Sequence, residues 1–104
     1  MTEAEKLFAS IGNGLEHAKS GQFFGNPCYK IRSKIFICFS GGGMVFKLGG
    51  SIRSMALNLP GGQIFRPFGK HNPMREWIWV PYERSDKWPT LAIAAKKYVE
   101  DTMI

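Results

Sequence analysis

Short apolar runs, separated by glycine, proline and polar turns, alternate along the chain with a few amphipathic stretches. The first amphipathic stretch begins after Thr2, which stands three residues before Glu5 as in a capping box, and its apolar positions recur at helical spacing. This pattern predicts a helix over residues 3–18. Gly12 and Gly14 each cost about 1 kcal/mol relative to alanine in a helix interior. Packing of the apolar stripe must therefore hold this helix, and the glycines favour an early end.

Three β-prone runs follow, at residues 28–32, 35–39 and 44–48, with turn-sized gaps between them. The first run alternates apolar and basic residues, as a strand with one solvent-exposed face does, whereas the middle run is apolar throughout. The pattern predicts a three-stranded meander whose middle strand is the most buried.

A second helix and two further strands are predicted after the double glycine at 49–50. Ser51 can cap a helix over residues 51–59, which Pro60 and two glycines then stop. The runs at 63–66 and 76–82 read as strands, the second ending near its proline or lying at a sheet edge.

A final amphipathic helix is predicted from Asp86, its expected cap, with Pro89 in its first turn. The resulting order, α-βββ-α-ββ-α, predicts one α+β domain over residues 1–104, a two-layer arrangement of a five-stranded antiparallel sheet with helices mainly on one face. Five side chains on strands or amphipathic faces are expected to be mostly buried: Phe36, Phe46, Trp77, Leu91 and Tyr98.

The composition fits one soluble domain. The chain has 104 residues, 44% of them hydrophobic, and contains no apolar stretch near the roughly 20 residues that a membrane-spanning helix needs. Acids near the amino terminus occupy the place where a signal peptide carries basic and then apolar residues. We therefore expect a cytoplasmic protein that does not enter a membrane.

Two cysteines and two histidines are too few and too scattered to predict a metal site or another cofactor. Cys28 and Cys38 are expected to be reduced thiols, with Cys38 in the core. A two-residue turn between their strands would place them on opposite faces of the sheet, and a three-residue loop would reverse this. His17 and His71 each stand alone in the sequence.

Nothing in the sequence predicts an active site. No nucleophile-elbow pattern is present, and nothing supports pairing of Cys28 with His71. The glycine runs at 41–43 and 49–51 lack the spacing of a Walker or dinucleotide-binding loop and are explained as turns. We therefore predict that the protein is not an enzyme.

Basic residues suggest a polyanion as partner. The net charge is +6, and residues 66–77 interleave basic side chains with Phe68 and Trp77, a mixture suited to phosphate contacts and base stacking. The alternatives are ordinary solubility charge and a solvated loop anchored to the core by its aromatic residues. Lys34 stands on the same hairpin as two of the candidates. The candidate nucleic-acid-binding residues are Lys30, Arg32, Lys47, Arg66, Lys70 and Arg75.

Several strings carry a resemblance that covers nearly the whole chain. They are Phe-Gly-Asn-Pro from residue 24 into the first hairpin, the Lys-Leu pair at 47–48, Gly-Lys at 69–70, and the late Trp-Ile-Trp-Val strand at 77–80. In these the chain resembles the amino-terminal domain of the TfoX/Sxy competence regulators and the related MmcQ/YjbR-like proteins. It departs from them at the hairpin turn, where Arg-Ser replaces the common Asn-Gly.

The resemblance implies a secretion-chaperone-like fold of the YjbR type. Its motifs are structural rather than catalytic, and the MmcQ/YjbR relatives are often called DNA-binding. The full-length TfoX proteins carry a second, helical domain that is absent from these 104 residues. We expect a non-enzymatic accessory module, a weak nucleic-acid-binding or regulatory domain. The alternative is a protein-interaction or homodimerisation module that uses a sheet edge and aromatic side chains.

Overall fold

Helices and strands account for most of residues 1–23, 25–66 and 75–102, which are the residues that the structure, a computed structural model, describes. In chain order the elements are α1 (Glu3–Asn13), β1 (Lys19–Phe23), β2 (Asn26–Ile31), β3 (Lys34–Ser40), β4 (Gly43–Lys47), α2 (Gly50–Leu57), β5 (Gln63–Ile64), β6 (Trp77–Val80), a 3₁₀ segment (Tyr82–Lys87) and α3 (Trp88–Asp101). The fold is thus α+β, as predicted. No helix within those three ranges is long and apolar enough to cross a membrane.

The strands form one antiparallel sheet in the order β1-β2-β3-β4-β6-β5. The antiparallel sheet confirms the predicted class, but the count of five strands and the order α-βββ-α-ββ-α are wrong. The additional strand is β1, which pairs with β2 from Lys19 opposite Lys30 to Phe23 opposite Asn26. It lies at the sheet edge and leaves most of its side chains exposed, so its sequence carries no apolar run.

One face of the sheet, here called the helix-covered face, packs against all three helices. Its strand residues include Ile37, Met44 and Phe46, all fully buried. Helix α3 supplies the largest share from the other layer, including Trp88 and Leu91, also fully buried. Burial of this much apolar surface is the main force that holds the helices on the sheet.

Four of the five predicted core residues are buried, namely Phe36, Phe46, Trp77 and Leu91. Tyr98 is partly buried and packs against the core of the helix-covered face. Its hydroxyl donates a 2.5 Å hydrogen bond to the Glu76 carboxylate near the surface. A phenol on an amphipathic helix commonly buries its ring and keeps its polar tip in contact with water or a polar group.

The opposite face, here called the aromatic face, carries a second and smaller core. Its buried members are Cys28, Cys38, Val45, Phe65 and Trp77, and Phe23, Ile35 and Trp79 pack against them. No residue of α1, α2 or α3 belongs to this cluster. Among the described residues the cluster therefore draws only on strands and on Phe65, which follows β5.

Helix α1 ends at Asn13, five residues before the predicted end at residue 18. Its start is as predicted, since the Thr2 hydroxyl accepts a 3.1 Å hydrogen bond from the Glu5 backbone N–H. Gly12 lets the helix approach β2 closely, because a Cβ there would lie 2.1 Å from the ring of Tyr29. The Tyr29 hydroxyl donates to the Asn13 side chain at 2.9 Å and so fixes the last turn.

The caps of the other two helices differ from the prediction. The residue that caps α2 is Gly49 rather than Ser51, and Gly50 adopts a φ of 64°, which favours glycine. Helix α3 begins directly after the 3₁₀ segment, with Lys87 rather than Asp86 at its cap position and Pro89 in its first turn. Because the 3₁₀ segment runs directly into α3, its last turn precedes the helix without a break and takes the place of a capping side chain.

The two cysteines face each other directly across β2 and β3. The turn between these strands is the two-residue Arg32-Ser33, for which opposite faces were expected, so that expectation is wrong. Its reason is a β-bulge: Lys30 pairs with Ile35 but Tyr29 pairs with Ile37, which leaves Phe36 as an extra residue on β3. One extra residue reverses the alternation and brings both thiols, which are free, to the aromatic face.

Candidate nucleic-acid interface

A cavity of about 450 Å³ opens at the end of the sheet where β1 begins and β2 ends. We call it the basic cavity. Four of its lining side chains are basic or can become so: His17, Lys19, Lys30 and Arg32. The cavity therefore brings together Lys30 and Arg32, two of the residues that the sequence predicts to contact nucleic acid.

Two of these basic residues stand directly opposite each other. The register of β1 on β2 pairs Lys19 with Lys30. Like charges at directly opposed positions of an antiparallel pair destabilise it, typically by a few tenths of a kcal/mol up to about 1 kcal/mol. An anion lying between the two ammonium groups would remove that repulsion.

The backbone of the same region is strained. Arg32 and Ser33 have φ values of 48° and 73°, and His17 has a φ of 68°. A tight hairpin turn with two positive φ values is normally made by Asn-Gly, because glycine adopts this conformation without steric hindrance. Arginine at such a position is less stable than asparagine or glycine, and it places a guanidinium at the tip of the hairpin beside the cavity.

Acidic residues neutralise little of this charge. Glu100 lines the cavity but accepts a 2.9 Å hydrogen bond from the Lys96 ammonium one helical turn away. The Glu16 carboxylate lies 3.9 Å from the His17 ring nitrogen, and both side chains are largely exposed. Within the described ranges, no acidic side chain lies within ion-pair distance of Lys19, Lys30 or Arg32.

Lys47 stands at the same end of the sheet but is already engaged. Its ammonium lies 4.0 Å from one oxygen of Glu76 and 5.7 Å from the ring centroid of Trp77. The other Glu76 oxygen accepts the hydrogen bond from Tyr98, which raises the pKa of that phenol above its usual range, with burial and the carboxylate charge adding to the effect. An incoming phosphate would have to compete with Glu76 for Lys47.

The remaining candidates lie elsewhere. Arg66 lines a separate cavity of about 280 Å³ with Ser40 and Trp79. Arg75 is exposed, and its carbonyl accepts a 2.6 Å hydrogen bond from the Arg53 side chain. Three residues named in the sequence analysis lie outside the described residues: Phe68, Lys70 and His71.

Stacking of a base on Trp77, as the sequence suggests, finds no open ring face. Only 7% of Trp77 is exposed, its ring lies 5.3 Å from that of Phe23, and Lys47 stands over it. The ring is thus part of the core of the aromatic face. This arrangement favours the alternative in which the aromatic residue anchors its segment.

Sequence reasoning did not find two residues of the basic cavity. Lys19 was missed because β1 was not predicted, and His17 was treated as an isolated histidine. A signal was present in Gly25 directly before β2, since a turn-forming glycine at the start of a strand is typical of a hairpin and so implies a partner strand on its amino-terminal side.

The described ranges contain no group of three His, Cys, Asp or Glu side chains placed to hold a metal ion. The chain matches no protein-family model, no curated protein and no solved structure with which it was compared.

Proposed function

We propose that this chain is a non-enzymatic module that binds nucleic acid weakly through phosphate contacts at the basic cavity. The observation that carries the proposal is the convergence of Lys19, Lys30 and Arg32 on one cavity without an acidic partner within the described ranges. Phosphate contacts supply most of the affinity in sequence-independent binding. The proposed partner is therefore a phosphate backbone, with little discrimination between base sequences.

The cavity geometry suits the phosphate groups of a nucleic-acid backbone. Lys19 and Lys30 oppose each other and Arg32 adds a planar guanidinium at the hairpin tip, so three cationic groups surround one opening. Each phosphodiester of a nucleic-acid backbone carries one negative charge on two non-bridging oxygens, and both oxygens can accept hydrogen bonds from such donors. Lys47, Arg66 and Arg75 do not line the basic cavity, so they would contact the nucleic acid only if it continues past the cavity, and Lys70 lies outside the described residues.

We further propose that the fold is of the secretion-chaperone-like, YjbR type and that the chain is a cytoplasmic relative of the TfoX amino-terminal domain. The supports are the Phe-Gly-Asn-Pro string at residues 24–27, the Lys-Leu pair at residues 47–48, where β4 ends, and the Trp-Val strand β6 before the last helix. The proposal would place this chain among regulatory or accessory proteins. It stands on sequence motifs and element order alone.

The test measures binding of labelled single-stranded and duplex oligonucleotides at about 50 and about 200 mM salt. The Lys30→Gln/Arg32→Gln variant removes two cations from the cavity. The matched control, Lys6→Gln/Lys87→Gln, makes the same change in net charge on α1 and at the end of the 3₁₀ segment. We expect the cavity variant to lose affinity at low salt, and its salt dependence to fall by about 0.9 per lost duplex contact or about 0.7 per single-strand contact.

Equal loss of affinity in both double variants would mean that net charge alone drives the binding and would contradict a defined site. Failure of the parent protein to bind at low salt would contradict the nucleic-acid proposal as a whole. Sedimentation of the parent at several concentrations then tests the homodimerisation alternative directly. Melting temperatures should stay nearly unchanged in both variants, since exposed charges contribute little to stability.

A further inference from the structure

Cys28 and Cys38 form a buried pair of free thiols on the aromatic face, at positions directly opposite each other in the sheet. Cys28 is 1% exposed and Cys38 is fully buried. Neither residue belongs to the basic cavity. The proposed nucleic-acid function does not use them.

The hydrogen-bonding pattern of the hairpin determines how close the two residues lie. In a two-residue hairpin the pair that flanks the turn, here Ile31 and Lys34, is hydrogen-bonded. Successive pairs away from the turn then alternate between non-hydrogen-bonded and hydrogen-bonded. The next pair, Lys30 with Ile35, is therefore non-hydrogen-bonded, and Tyr29, which lies opposite the bulge, is hydrogen-bonded again. It follows that Cys28 and Cys38 form a non-hydrogen-bonded pair. Such pairs have Cα atoms about 4.5 Å apart. That separation lies inside the range of about 4.4 to 6.8 Å found for disulfides.

The neighbouring edge strand leaves a gap beside Cys28. Gly21 of β1 pairs with Cys28, and a Cβ at that position would lie 3.5 Å from the cysteine sulfur and 3.8 Å from the Lys30 ammonium. The missing side chain therefore leaves space next to the sulfur, at the sheet edge and beside a cation. Cys38 lies one strand further from that edge, is fully buried and packs among apolar residues.

The electrostatic environment also favours Cys28 over Cys38 as the thiol that ionises. Burial raises the pKa of both, and for Cys38 the charge of a Cys28 thiolate raises it further. At Cys28 the Lys30 ammonium offsets part of the effect of burial, although the pKa of that thiol stays above its usual value. Cys28 is therefore the thiol that forms a thiolate more readily, and the thiolate is the nucleophile in thiol oxidation.

We propose that Cys28 and Cys38 constitute a redox modification site, in which a peroxide oxidises Cys28 and Cys38 closes the product to a reversible cross-strand disulfide. In the first step the Cys28 sulfur attacks one peroxide oxygen, the O–O bond breaks, and sulfenic acid and water form. In the second step the Cys38 sulfur attacks the sulfenic sulfur, an S–S bond forms, and a second water leaves. The two thiols together lose two electrons and two protons to the peroxide.

The experiment treats the folded chain with hydrogen peroxide, quenches with acid, blocks remaining thiols under denaturing conditions and measures the intact mass. We expect a monomer lighter by two hydrogen atoms that takes up no blocking reagent, a peptide linking Cys28 to Cys38, and recovery of both thiols with dithiothreitol. Two free thiols after exposure that fully oxidises glutathione would overturn the proposal. So would a product containing sulfinic acid in place of the disulfide.

Three variants test the assigned roles. With Cys38→Ser, Cys28 should accumulate sulfenic and then sulfinic acid, whereas with Cys28→Ser the buried Cys38 should react far more slowly. Gly21→Ala adds a methyl group at ordinary contact distance from the Cys28 sulfur, so it should fold normally and slow the peroxide reaction severalfold. An unchanged rate in Gly21→Ala, with its melting temperature preserved, would overturn access through the β1 gap.

Discussion

The two faces of the sheet are built from the same strands but serve different purposes. The helix-covered face buries large apolar residues against α1, α2 and α3 and contains no buried polar or charged residue in the described ranges. The aromatic face has no helix residue in its cluster and carries both cysteines and two of the three tryptophans. Neighbouring residues on one strand therefore experience different surroundings.

The pleat of the sheet separates the residues that mainly stabilise the fold from those that carry the proposed chemistry. The proposed phosphate-binding site and the proposed redox site both involve residues at or beside the aromatic face, because Lys30 belongs to the basic cavity and also lies beside Cys28. The helix-covered face contributes the apolar burial that fixes the strands in register. A substitution on either face should therefore affect a different property first.

The largest expected effect comes from Phe46→Ala, compared with Val45→Ala one residue away. Both side chains are fully buried, Phe46 on the helix-covered face and Val45 on the aromatic face. We expect the first to lower the free energy of unfolding by about 3 to 5 kcal/mol and the second by about 2 kcal/mol. Urea unfolding of both variants measures the difference. Equal losses would contradict the view that the helix-covered face dominates stability.

A smaller effect is expected at the contact between α1 and the sheet. Glycine to alanine in a helix normally stabilises by about 1 kcal/mol, but a methyl group at Gly12 would collide with the Tyr29 ring. Gly12→Ala should therefore destabilise by about 1 to 3 kcal/mol, the range for overpacking. Gly14→Ala is the matched control, since only backbone oxygens of its own helix lie near, and it should be close to neutral. Similar melting temperatures for the two variants would contradict the close packing.

The smallest effect concerns Tyr98, whose hydroxyl joins α3 to Glu76 beside Lys47 and Trp77. Because the pKa of Tyr98 is raised in the folded state, the protonated phenol is the form that stabilises the fold. Its contribution is complete below the unfolded pKa of about 10 and is lost as the pH rises through the higher folded pKa. The stability difference between the parent and Tyr98→Phe should shrink over that window. Tyr82→Phe, which removes a phenol from an exposed ring, should show no such hydrogen-bond contribution at neutral pH.

Much of the fold follows from local sequence patterns, and the exceptions have physical reasons. The apolar runs of β3, β4 and β6 and the capping box of α1 were readable because burial and capping both leave marks in the sequence. Strand β1 is stabilised mainly by backbone pairing with β2, which leaves no hydrophobic signature. The bulge at Phe36 depends on how two strands fit together, and neither strand alone encodes it.

The site was predictable in part for the same reasons. Lys30 and Arg32 were identified because a basic residue on a recognisable hairpin is visible in sequence, and the structure places both at one cavity. Their neighbours Lys19 and His17 come from a segment whose position follows only from the pairing of β1 with β2. The binding of nucleic acid at this cavity remains a prediction.

The strand order also has a consequence for the way the chain acquires its structure. Strands β1, β2 and β3 each pair with the next strand in sequence, through short turns, so their contacts close small loops at a low entropic penalty. Strand β6 instead joins β4 across α2 and β5, a much longer closure. Contacts of short sequence separation speed folding. The meander therefore forms the fast, local half of the molecule, and docking of β6 and α3 forms the slow, non-local half.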